Sequence, residues 1–95
     1  MISVACIGEA MIELSLVGNN AQVGVAGDTL NTAIYLHRSA PEIKVDFITC
    51  LGDDPFSDRI CDFMTVQGIG ASAVHTIAGL SAGLYAIATT PDGER

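Results

Sequence analysis

The sequence predicts an α/β fold with at least partly parallel strands, on three observations. Residues 2–7 (ISVACI) and 45–51 (VDFITCL) are almost unbroken apolar runs, the pattern of central strands covered by helices on both faces. Residues 28–39 and 54–67 carry apolar side chains at helical spacing. The resulting order of strand, helix, strand, helix, strand calls for right-handed crossover connections.

Each element has its own local cause. The run 2–7 ends at Gly8-Glu9, where a strand gives way to a connection. Residues 11–17 (MIELSLV) set Glu13 and Ser15 opposite Ile12, Leu14 and Leu16, so this strand belongs to a sheet with one open face. In 28–39 the stripe Leu30, Ala33, Ile34 and the stem of His37 follows i, i+3, i+4, i+7, with Asp28 or Thr29 available as N-cap. The second helix opens with Asp54 as N-cap and Pro55 at its first position, runs through Phe56, Ile60, Phe63 and Met64, and stops at Gly68. Residues 84–90 (LYAIATT) alternate again, with Tyr85 on the opposite side from Leu84, Ala86 and Ala88. Pro91-Asp92-Gly93 then signals a turn, and with it a hairpin whose returning strand lies past Arg95.

Composition narrows the function classes. Ninety-five residues make one domain or part of one. With 49% apolar residues and ten glycines besides, the chain is too apolar to be disordered, and something else is expected to cover part of it. Eleven acids against four bases leave a net charge of −7, which opposes approach to nucleic acid or to an anionic membrane. The longest apolar stretch, 77–88, is too short to span a bilayer, and no cationic residue precedes Arg38, so a cytoplasmic location is expected. Cys6, Cys50 and Cys61 are odd in number and set among apolar neighbours, which fits reduced, buried thiols better than disulfides or a zinc site.

Among candidate motifs, the common nucleotide loops fail on context. The only lysine, Lys44, starts a strand, and Gly68, Gly70 and Ala73 follow a helix where a dinucleotide fingerprint would leave a strand. Asp53, Asp54, Asp58 and Asp62 read as acids complementing a helix N-terminus and lining one helix face, not as metal ligands. His37 and His75 have no partner at the spacing of a catalytic pair. The loop 24–31 (GVAGDTLN) is different: Gly27 opens a helix whose free N–H groups favour an oxygen-rich ligand, and Asp28 and Asn31 stand one turn apart, both able to reach a polyol. A bend, a cap and a solvated residue account for the same three positions equally well. Glu9 lies at the carboxyl end of the first strand, where open α/β sheets bind ligands, and is equally a solvent-facing carboxylate. Tyr85 has the amphipathic body to pack on a ligand or on another strand.

Taken together, IGEAMIELS at 7–15, AGDTLNTAIYLHR at 26–38 and GLYAIATTPDGER at 83–95 resemble the ribokinase-like (PfkB) carbohydrate kinases, with LGDDPFSDRI at 51–60 and QGIGAS at 67–72 in the expected order. Within that family the likeness is to the branch acting on the sugar acid 2-keto-3-deoxygluconate. The resemblance implies a doubly wound sheet with a small β-sheet lid, residues 1–95 being the N-terminal segment of one such domain with lid strands at about 11–25 and 72–95. It implies that Gly27, Asp28 and Asn31 lie on the sugar loop, that Tyr85 reaches the substrate from a lid strand, and, as a weaker transfer, that Glu9 approaches the sugar. Ala26 departs from the Gly-Gly pair usual in that loop.

The implied reaction is phosphate transfer from ATP, with Mg2+, to the 6-hydroxyl of the sugar acid. The enzyme would be a homo-oligomer joined through its lids. The motif of GAGD type that carries the family's general base does not occur here, nor does the ATP pocket, so no catalytic residue is expected in this segment and the isolated chain is expected to be inactive. The family's carboxylate-binding arginine follows the GER triplet at 93–95, so only Arg95 itself is near that place. A fructokinase or ribokinase type, or a non-catalytic sugar-binding or dimerisation module, are the alternatives.

Overall fold

A computed structural model describes residues 2–88. Expectations at 89–95, including the turn at 91–93 and Arg95, lie outside the described residues. The elements run β1 (Ser3–Ile7), β2 (Met11–Val17), β3 (Asn20–Ala26), α1 (Asp28–Ser39), β4 (Lys44–Ile48), β5 (Cys50–Leu51), α2 (Pro55–Val66), β6 (His75–Thr76) and β7 (Gly83–Ala88).

Two sheets divide the work. In the first, β1 lies parallel to β4, register Ser3 to Lys44 through Ile7 to Ile48. After a break at Thr49, β5 continues that strand and pairs in parallel with β6. Gly70 extends this third strand, exchanging backbone hydrogen bonds with Val45 and Phe47. The segment 70–77 therefore belongs to the parallel layer, and the later lid strand begins at Gly83 instead of near residue 72. The reason is local: Ile69 is buried in the core, which draws the following residues onto β4.

The second sheet has the order β3-β2-β7, with β2 antiparallel to β3 and parallel to β7. The β2–β3 hairpin turns at Gly18, whose φ of 59° lies in the left-handed region that glycine occupies without strain. Alternation along β7 is present, with Tyr85 and Ile87 half-buried on one face and Leu84, 46% exposed, on the other.

Both helices bury their stripes on one side of the parallel layer. Val45 and Phe47 of β4 pack with Leu30, Ala33 and Ile34 of α1 and with Ile60 and Met64 of α2. The other face is open in this chain, with Ile7 72% exposed, so the expectation of two covered faces holds on one side only. Cys50 falls on that open side and is exposed, whereas Cys6 and Cys61 are half-buried; all three are free thiols. Burial, then the neighbouring carboxylates Asp58 and Asp62, pushes the Cys61 pKa up.

The caps differ from expectation at one helix. Gly27, at φ 148° and ψ 125°, is the N-cap of α1 with no side-chain bond, and Asp28 is already helical. Asp54 caps α2 as expected, accepting from the Ser57 N–H at 3.3 Å, with Pro55 following. Ser57 is buried where Phe56 had been expected to pack, because Ser57 carries the polar bonds of this cap while Phe56 turns partly outward. At the far end Gly68, φ 77°, closes the helix with its Cα against His37: a Cβ there would stand 2.5 Å from His37 Nε2.

Candidate functional site

Between the Glu13 and Tyr85 face of the three-stranded sheet and the mouth of α1 lies a cleft of about 470 Å3. Its floor is the β3–α1 junction Val25, Ala26 and Gly27, from which α1 presents Asp28 and Asn31; its wall is Met11 and Glu13 of β2 and Tyr85 of β7. Gly27 permits this geometry. Its backbone passes so close to the strand end after β1 that a Cβ would lie 2.4 Å from the Glu9 carbonyl oxygen. Below it the Asn31 N–H donates to the Gly27 carbonyl at 2.9 Å, starting the helix at the cleft.

Four residues singled out from sequence, Gly27, Asp28, Asn31 and Tyr85, thus meet in one cleft although the last is 54 positions from Asn31 in the chain. Glu9 does not line it. It is exposed at the rim, where its carboxylate lies 4.0 Å from the place a Cβ would take on Gly83. Glu13, on the open face of β2, is part of the wall as well. It stands opposite Tyr85 in the β2–β7 register, and the Tyr85 hydroxyl donates to its Oε1 at 2.6 Å. The signal was present in the alternation of 11–17, which set Glu13 on the open face; what was missing was the strand it would face.

The electrostatics are one-sided. Glu13 and Asp28 bring two carboxylates to the cleft, and no cationic side chain lines it among the described residues. Arg38 donates instead to Gln67 at 2.7 Å, Lys44 lies 3.9 Å from Asp46, and Arg59 lines a different cleft. Such a cleft suits hydroxyls: the carboxylates accept from them, and the Asn31 amide both donates and accepts. A second cleft, about 580 Å3 on the opposite face of the three-stranded sheet, is lined by Ile12, Val23, Val25, Phe63 and Val66 with Arg59 and Asp62 of α2, a mainly apolar wall carrying one charge of each sign.

The described residues do not fit a nucleoside triphosphate or its Mg2+. Their cations are placed as above, the N-terminus of α2 is closed by its own Asp54, and no group of three or more His, Cys, Asp or Glu is arranged to hold a metal. No helix among them is long and apolar enough to cross a membrane.

A parallel α/β layer with a small second sheet standing over a cleft that offers two carboxylates, an amide and a phenol places the chain among the layered α/β domains. Residues 1–95 match the model of the pfkB family carbohydrate kinases over their whole length. The chain belongs to that family, and its fold is the ribokinase-like one. It is 39% identical over 95 residues to a 2-dehydro-3-deoxygluconokinase of Dickeya dadantii, covering 98% of this chain and 31% of that protein. It is 38% identical over 94 residues to the 2-dehydro-3-deoxygluconokinase of Escherichia coli K12, covering 97% and 30%. The chain thus spans about a third of the length of the curated relatives it matches. Among solved structures, a PfkB protein from Polaromonas sp. superposes with a TM-score of 0.86 at 26% identity, covering 98% of this chain and 33% of that one. The 2-dehydro-3-deoxygluconokinase of Thermotoga maritima superposes at 0.81 and 22%, covering 90% and 28%.

Proposed function

We propose that the protein carrying this chain is an ATP-dependent kinase that phosphorylates 2-keto-3-deoxygluconate (2-dehydro-3-deoxygluconate) on its 6-hydroxyl, these residues supplying the lid and half of the sugar cleft. The observation that carries the reading is the convergence of Gly27, Asp28 and Asn31 at the mouth of α1 with Tyr85 and Glu13 of the lid, in a chain similar along its length to proteins of that name. Asp28 and Asn31 take sugar hydroxyls. The carboxylate end of the substrate is repelled by Glu13 and Asp28 and turns away from this half of the cleft, toward a cation supplied from elsewhere. The general base, the ATP site and its Mg2+ are likewise assigned outside the described residues. ATP as donor goes with action in the cytoplasm. The apolar outer face of the lid, with Val23 42% and Leu84 46% exposed, is the surface through which copies of the enzyme join.

A second reading, a kinase of a neutral sugar in the same family, is favoured by the charged groups of the cleft, which among the described residues are both carboxylates, Glu13 and Asp28. One assay separates them: ADP release by the protein expressed from its complete coding sequence, with 2-keto-3-deoxygluconate, fructose and ribose in turn. The expected result is the highest kcat/KM on the acid sugar. Faster turnover of fructose or ribose would replace the first reading by the second, and turnover of none of the three would remove both.

A further inference from the structure

The segment joining the parallel layer to β7 has little to hold it by burial: residues 78–81 are exposed, and only Ala82 packs against the core. It is held by polar contacts to the Gly52-Asp53-Asp54 corner before α2. The Ala82 N–H donates to Asp54 Oδ1 at 3.1 Å, the Gly79 N–H donates to Asp53 Oδ1 at 3.1 Å, and the Asp53 N–H donates to the Leu80 carbonyl at 3.2 Å. Gly52 packs so tightly beneath that a Cβ would fall 1.8 Å from the Leu80 oxygen. Asp54 is in turn oriented by Ser57, whose hydroxyl donates to Oδ1 while accepting from the Gly52 N–H at 3.0 Å.

We propose that Asp53 and Asp54 form a latch fixing the start of β7, which makes Asp54 a positioning residue for Tyr85 in the cleft. Ala82 precedes Tyr85 by three residues, about 10 Å of extended strand, and among the described strands β7 has a single neighbour, β2. Where β7 begins therefore sets where Tyr85 meets Glu13. The role in substrate binding rests on the reading of the cleft as the sugar site; the latch itself does not.

The test uses the protein from its complete coding sequence and separates the latch from the helix cap. Asp54→Ser keeps a good N-cap for α2, but its single, shorter oxygen does not also reach Ala82. Hydrogen exchange at 83–88 is expected to quicken about tenfold, and at 55–66 to stay within about twofold, as for loss of one charge-assisted hydrogen bond outside the helix. The KM for the sugar rises about tenfold with kcat within about threefold, and Asp54→Asn, which retains the Oδ1 acceptor, restores both. Asp53→Ala, at an exposed residue with no capping role, gives a smaller quickening confined to the same strand. Unchanged exchange at 83–88 in both Asp54→Ser and Asp53→Ala, or an equal rise in α2, would overturn the latch. If the wild-type protein phosphorylates no sugar, the kinase reading falls, and the exchange data still decide the latch.

Discussion

Replacing Gly27 by alanine tests the β3–α1 junction on which the cleft is built. At φ 148° and ψ 125° its backbone occupies a region that side-chain-bearing residues rarely enter, which costs about 1–3 kcal/mol. The added Cβ would sit 2.4 Å from the Glu9 carbonyl oxygen and 3.3 Å from Ala10 Cα, both backbone atoms that cannot rotate away. Relieving that overlap costs about 1–3 kcal/mol more, so the sum is roughly 2–6 kcal/mol against a usual stability of about 5–15 kcal/mol. Urea denaturation of wild type and Gly27→Ala measures it directly, with sugar affinity measured on the same samples. Affinity is expected to fall as well, because the strain is relieved by moving the start of α1, which carries Asp28 and Asn31. Ala26→Gly is the control: no described non-glycine residue has a positive φ, so this change costs only about 0.5–1 kcal/mol of strand entropy. A Gly27→Ala protein within about 0.5 kcal/mol of wild type, binding sugar equally well, would show that neither the φ nor the close approach of Gly27 is required.

Three further outcomes are expected. Tyr85→Phe removes the 2.6 Å hydrogen bond to Glu13 and should raise the KM for the sugar by about tenfold, with no further loss when Glu13→Gln is added; additive losses would show that the two act separately. The Ser57 hydroxyl, helped by the Ala82 N–H and opposed by partial burial, holds the Asp54 pKa below the ordinary carboxylate value. A carboxyl lowered in the folded state stabilises it above the unfolded pKa and loses that contribution as pH falls through the folded one. The advantage of wild type over Asp54→Asn in urea midpoint should therefore be full at about pH 6 and shrink below about pH 4, and a difference flat with pH would contradict it. Leu84→Glu on the outer face of the lid should convert an oligomer to a monomer by light scattering, and an unchanged mass would remove the lid from the interface.

Much of the fold was legible because its signals are local. The stripe of α1, the Asp54-Pro55 start and Gly68 stop of α2, and the apolar runs of β1 and β4 depend only on neighbours in sequence, and each appears at its expected place. The family followed from three motifs in register. The placement of 70–77 was not legible, because a short stretch of small and polar residues pairs wherever a buried neighbour, here Ile69, delivers it. Nor was the open face of the parallel layer: an apolar run shows that a strand can be covered on both sides, and only the packing shows which side the helices took. In the cleft, sequence alone determined the chemistry available, with glycine freedom at Gly27 and oxygen and amide groups at Asp28 and Asn31. Tertiary structure decided that Glu13 joins them and Glu9 stands aside. The physical reason is register: Glu13 faces Tyr85 only because β2 and β7 pair in parallel at that offset, a choice set by contacts between residues 72 positions apart.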